Sequence, residues 1–187
     1  MLDAALRLFV ERGYRGTSME AIAGAAGVTK PVVYACYPSK ERLFRALLDR
    51  EEARLRSEVQ ATLPSDPDYA DIEALFASTL EAFLSGALTA PDSWRILFDS
   101  EHAEPLVARR LGRARAAVVA QVAGLVEPYL RAQGTRDVER KAPVLAEVLA
   151  SIGEAGVRLL LVEGREWTPG ELARLLARVA ARGVSAA

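Results

Sequence analysis

The side chains able to carry out chemistry are few in this chain of 187 residues, which holds one cysteine, Cys36, and one histidine, His102. A nucleophile and its base must share one site, and these two fall in segments that read as different domains, so covalent catalysis finds no constellation. Asp99 and His102 stand at i, i+3 on one helix face, with Glu104 close by. Zinc usually asks for more nitrogen or sulfur ligands than that, and a helix end rich in solvated charge explains the cluster equally well. Cys36 has no second thiol for an internal disulfide and reads as a small filler. No catalytic residue, metal or cofactor is assigned, and an enzyme is not expected.

A second set is denser. Lys30, Tyr34, Tyr37 and Lys40 put two ammonium groups around two aromatic hydroxyls within a short stretch. Such groups suit phosphate, although tyrosines three apart can also cover a small core with their hydroxyls in water. The charge distribution agrees with a phosphate partner. Residues 1–50 carry eight Lys or Arg against five Asp or Glu, net +3, while the remainder carries 16 against 20, net -4. A basic head on an acidic body suggests that only the head meets nucleic acid.

The elements that must position these groups are helical. Leucine, alanine and arginine dominate, β-branched residues are sparse, and apolar positions recur at helical spacing. About nine helices and no sheet are predicted. The first covers residues 2–12, with Leu2, Ala5, Leu6 and Phe9 on its buried face and Gly13 as its stop. Thr17-Ser18-Met19-Glu20 fits a capping box that opens the second helix. Gly27 suits a turn of positive φ, Thr29 can cap a third helix with Pro31 in its first turn, and Pro38 ends it. Ser39 can cap a fourth helix reaching residue 63. After the linker 64–68, helices are expected over 69–88, 92–102, 105–133, 138–163 and 169–182. No run approaches the roughly 18 uninterrupted apolar residues of a membrane span, so a cytoplasmic protein without membrane contact is expected.

Three short helices in the first fifty residues, the last two joined by a tight Ala26-Gly27-Val28 turn, describe a helix-turn-helix. Small residues, Ala23 and Ala26, let the second helix cross the third closely, and Ile22 and Val28 fill the junction. The run Gly16-Thr17-Ser18, Ile22-Ala23, Ala25-Ala26-Gly27-Val28, Tyr34, Tyr37-Pro38-Ser39-Lys40 and Leu43-Phe44 closely resembles the DNA-binding head of the TetR family of bacterial regulators. The resemblance implies an all-α protein with a helix-turn-helix head, residues 1–45, on a larger helical body, residues 46–187, that binds an effector and dimerises. It also implies that Thr17 and Ser18 anchor phosphate, that Thr29 is among the DNA-binding residues, that Lys30, Pro31, Val32 and Ala35 line the base-facing surface, and that Tyr34, Tyr37 and Lys40 meet phosphates. Lys30 can bind guanine O6 and N7, whereas Pro31 and Val32 can only touch a thymine methyl. Ala35 and Cys36 depart from the histidine or other polar residue common there in the family.

In the body, Phe76, Leu80, Phe83, Trp94 and Phe98, with His102 as a polar anchor, can line a cavity for an apolar small molecule, closed by Val122, Val126 and Tyr129. Ordinary core is the competing explanation. The last two long helices are unusually apolar: Leu145, Val148, Leu149, Ile152 and Leu159 on one, Leu172, Leu175, Leu176 and Val179 on the other. Gly153 and Gly156 inside a helix imply a closely packed neighbour, which fits a four-helix seam across a two-fold axis. The expectation is a homodimeric regulator, a ligand-responsive repressor on a palindromic DNA operator. The alternatives are an all-helical enzyme and a helical adaptor that contacts protein instead of DNA.

Overall fold

The computed structural model describes residues 1–100, 105–161 and 166–186, and side chains outside 98–100, 105–111 and 113–114. Nine helices and no strand are found among the described residues: α1 (Leu2–Gly16), α2 (Met19–Ala25), α3 (Lys30–Cys36), α4 (Lys40–Thr62), α5 (Ile72–Thr89), α6 (Pro91–Ser100), α7 (Pro105–Ala132), α8 (Val138–Leu161) and α9 (Pro169–Ser185). They form two compact units. One contains residues 1–55 and 90–111, the other residues 56–89 and 112–187. A split between residues 45 and 46 therefore does not coincide with the packing, because α4 belongs to the first unit as far as Leu55 and α6 returns to it.

In the first unit, Phe9, Ile22, Val33, Leu43, Phe44 and Leu47 form a core that Ile96 of α6 enters. Phe44 meets Phe9 edge-on at 4.9 Å between ring centres and lies 4.8 Å from the ring of Tyr14. Gly13 breaks α1 at φ 71°, as its position suggested, but the helix resumes and reaches Gly16. The capping box expected at Thr17 does not form. Thr17 is buried, its hydroxyl reaching the carbonyls of Leu8 at 3.0 Å and Gly13 at 2.9 Å, and Ser18 caps α2 by accepting from the Ala21 amide at 3.1 Å. Ser39 does cap α4, accepting from the Arg42 amide at 3.2 Å.

One feature of this unit leaves no trace in hydrophobic periodicity. Glu51 of α4 is fully buried, with Ser93 of α6 donating to one carboxylate oxygen at 2.6 Å. Arg50 donates to the other at 2.7 Å and also pairs with Asp3 of α1 at 2.7 Å. Burial would lower the Arg50 pKa, but Glu51 and then Asp3 outweigh it and raise it. A buried carboxylate persists only when its charge and lone pairs are matched in this way.

In the second unit, α5 begins three residues later than expected. Asp68 ties its own loop by accepting from Ala70, and Asp71 caps the helix by accepting from Ala74, both at 2.9 Å. Helix α5 has the length and hydropathy of a membrane span. It carries Glu73 and Glu81, and α8 and α9 pack on it, where Leu84 and Ala87 are its buried residues. Close approach comes from small residues, Ala173, Ala177 and Ala180 of α9 and Gly153 and Gly156 of α8, all buried. On α7, Arg115 donates to Glu154 at 2.7 Å and Ser151 at 3.0 Å and pairs with Glu147, fastening α7 to α8. Helix α9 starts at a complete capping box, Thr168 with Glu171, in the same four-residue pattern that fails at Thr17.

Candidate nucleic-acid interface

The turn between α2 and α3 follows from its glycine. Gly27 adopts φ 67°, which only glycine reaches without strain, and the amides of Gly27 and Val28 return to the carbonyls of Gly24 at 3.2 Å and Ala23 at 3.0 Å. That pairing ends α2 and sets the start of α3. Val33 then points inward, fully buried, while Lys30, Pro31, Val32, Tyr34, Ala35 and Cys36 are exposed. An apolar valine and a tyrosine with an apolar body stand on the solvent face of a seven-residue helix, beside one ammonium group.

The expected contact residues divide by what else they do. Thr29 occupies the N-cap position of α3 without a side-chain cap bond, so it is not the side-chain cap that the sequence suggested. Ser18 uses its oxygen as an acceptor and keeps its proton to donate. Thr17 spends its single proton on backbone carbonyls, which corrects its expected role: its side chain positions α1 against α2 and has none left for phosphate. Tyr37 is half-buried against the core of the head, the covering role open to it, whereas Tyr34 is exposed.

The two lysines also have partners within the chain. Lys40 donates to the carbonyls of Tyr14 at 2.9 Å and Thr17 at 3.0 Å and lies 4.5 Å from the centre of the Tyr14 ring. Two of its three protons are thus committed to closing the head. Lys30 pairs with Glu20 of α2 and sits 6.0 Å from the Tyr34 ring centre. Glu20 raises the Lys30 pKa, first by the hydrogen bond and then by charge. Sequence reasoning had assigned Glu20 to a capping box and so missed it as the partner of Lys30.

Residues 1–47 match the family described as bacterial regulatory proteins, tetR family. Over 127 residues, 67% of this chain, the protein is 33% identical to the HTH-type transcriptional activator FasR of Mycolicibacterium smegmatis. Over 62 residues, 33% of the chain, it is 42% identical to the HTH-type transcriptional repressor ComR of Escherichia coli. The matched segments span 57% and 30% of those proteins' own lengths. A TetR-like transcriptional regulator from Rhodococcus sp. RHA1 superposes over 100% of this chain and 94% of its own, with TM-score 0.76 and 28% identity. The chain belongs to the TetR family.

The body of this TetR-family chain redistributes the other expected sites. Of the proposed cavity lining, Val126 and Tyr129 are buried in a core cluster with Leu130 and Val138, and Phe76 and Val122 pack on it. Leu80 and Phe83 are half-buried on α5. Trp94 belongs to the other unit, while the Phe98 and Asp99 side chains, with His102 and Glu104, lie outside the described residues. Tyr69, which sequence reasoning left in a helix, instead donates its hydroxyl to the Leu125 carbonyl at 2.7 Å and lies 5.9 Å from the Tyr129 ring.

The expected seam separates likewise. Val144, Val148 and Val179 are 62%, 50% and 58% exposed, and Leu175 is exposed beside Val179. Leu145, Leu149, Ile152, Leu159 and Leu176 are half-buried. Leu172 and Gly156 are corrected, because both are buried within the chain itself. A Cβ on Gly156 would stand 2.9 Å from Leu84 and 3.1 Å from Leu176, and one on Gly153 would stand 3.2 Å from Phe83. The close neighbour that these glycines announced is α5, with Leu176 of α9, and no partner chain is needed to explain them.

Proposed function

We propose that the protein is a DNA-binding transcriptional regulator whose head docks α3 in a major groove. The carrying observation is the solvent face of α3, where Lys30, Pro31, Val32, Tyr34 and Ala35 are exposed while Val33 holds the helix to the core. The DNA-contacting residues lie within residues 1–45 of the first unit, and residues 46–187 contain the effector-binding and dimerisation part. Ser18, Thr29 and Tyr34 contact phosphate with the third proton of Lys40, and Lys30 reaches a base edge.

The regulator acts as a homodimer on a palindromic operator in the cytoplasm. Support comes from α8 and α9, where Val144 and Val148, and Leu175 and Val179, repeat at i, i+4 with exposed side chains that a second copy would cover. Two heads then require half-sites about 10 base pairs, or about 34 Å, apart. Repression is the proposed sense of control, since a dimer on its operator blocks a promoter by occupancy alone. An apolar small molecule bound in the body would weaken DNA binding by favouring another separation of the heads.

Selection from a random-sequence duplex pool tests the reading. Enrichment of a palindrome with that half-site spacing is expected, together with a dimer in sedimentation that Val148→Glu and Val179→Glu dissociate. A pool that enriches no motif would overturn the DNA assignment, and a wild-type monomer would overturn the dimer.

A further inference from the structure

Glu20 and Lys30 form an ion pair across the helix-turn-helix, from the first turn of α2 to the first residue of α3. Their side chains are 64% and 52% exposed. An exposed pair of this kind contributes little to stability, so maintaining the fold does not account for it. Its position matters more, because Lys30 is the one cation on α3.

We propose that Glu20 is a specificity-determining residue that withholds Lys30 from non-specific phosphate contact and reserves it for a base edge. The inference rests on the DNA-binding reading above. A phosphate that approaches Lys30 brings a full negative charge beside the Glu20 carboxylate, so like-charge repulsion offsets what the ammonium contact adds. A neutral guanine edge brings no such repulsion. The ammonium has three protons, so it can donate to O6 or N7 while Glu20 keeps one. The ammonium also lies 6.0 Å from the centre of the exposed Tyr34 ring.

The consequence is that Lys30 adds to affinity at matched sequence and hardly at all elsewhere. Wild type, Glu20→Gln, Lys30→Gln and the double variant are compared by fluorescence anisotropy on a random-sequence duplex over a salt series, and on the motif enriched by wild type. Glu20→Gln is expected to tighten random-duplex binding about threefold or more near 0.1 M salt and to steepen the log-log salt slope by about 0.9, the value of one added phosphate contact. In the wild-type background Lys30→Gln leaves random-duplex binding within about twofold but cuts binding to the enriched motif about tenfold, as loss of a base contact does. In the Glu20→Gln background it removes the gain.

Unchanged random-duplex affinity and slope in Glu20→Gln would overturn the proposal, and so would a gain that persists in the double variant, since charge removal alone would then explain it. If folded wild type binds neither duplex at low salt, the DNA-binding reading itself fails and the proposal falls with it. Motif selectivity lost in Lys30→Gln but intact in Glu20→Gln would leave Lys30 as a base reader and overturn only the role of Glu20.

Discussion

Lys40 lies over the ring of Tyr14, 4.5 Å from its centre, and donates to the Tyr14 carbonyl at 2.9 Å. With a second bond to the Thr17 carbonyl, one ammonium group ties the start of α4 to the end of α1 and to the chain that follows it. The group is half-buried, so its removal deprives two carbonyls of a charged donor and the aromatic cluster of its cation.

Lys40→Met is therefore expected to lower stability by about 2 kcal/mol, within the range for hydrogen bonds to charged groups. Lys40→Arg should rescue little of it, because a planar guanidinium does not replace a compact ammonium between two carbonyls and a ring. Urea denaturation of the two variants measures both. A Lys40→Met protein as stable as wild type would return Lys40 to a pure phosphate contact.

Gly156 provides a test within the second unit. An added methyl group meets the far ends of Leu84 and Leu176, which can shift by a few tenths of an ångström, and the helix gains about 1 kcal/mol in propensity. Gly156→Ala should thus stay within about 1 kcal/mol of wild type, whereas Gly156→Ile, a larger intrusion into the same contact, should lose about 3 kcal/mol. Thermal denaturation at two protein concentrations checks that the loss arises within one chain. A loss confined to low protein concentration would point to a partner helix at Gly156.

Acid should loosen the start of α9. The Glu171 carboxylate is held below its ordinary pKa of 4.5, first by the hydrogen bond from the Thr168 hydroxyl and then by that from its backbone amide. Because the folded pKa is the lower one, the contribution is complete above about 4.5, the unfolded value, and is lost as pH falls through the folded one. Amide exchange at residues 170–172 should accelerate over that acid window relative to the middle of α9, and in Thr168→Ala it should be fast at every pH. Uniform protection of α9 across the window would contradict this.

Much of the head was legible because local chemistry determines it. Gly27, Pro31 and Pro38 act through their own backbone and Ser39 through a hydroxyl that reaches only three residues on, and each stands where the sequence placed it. The pattern at Thr17 was misleading because a capping box is a local motif that tertiary structure can override. There the Leu8 carbonyl, nine residues away, claims the hydroxyl, while at Thr168 no such competitor intervenes and the box forms. Gly153 and Gly156 announced a close neighbour correctly but could not say which helix it was, since a glycine records only the space it leaves. The partners of Lys30 and Lys40 were illegible for a related reason. Glu20 and the carbonyls of Tyr14 and Thr17 become neighbours only once the head has folded.

DNA docking through the exposed face of α3 is tested most directly by titrating the protein with its own upstream duplex and with a scrambled duplex, each across a salt series, alongside Lys30→Ala and Tyr34→Ala. The predicted result is a complex on the upstream duplex that weakens steeply with salt, exceeds the scrambled one by about a thousandfold or more, and loses about tenfold of that advantage in Lys30→Ala. Equal binding to the two duplexes by the wild-type protein, or a selective complex untouched by both substitutions, would contradict it.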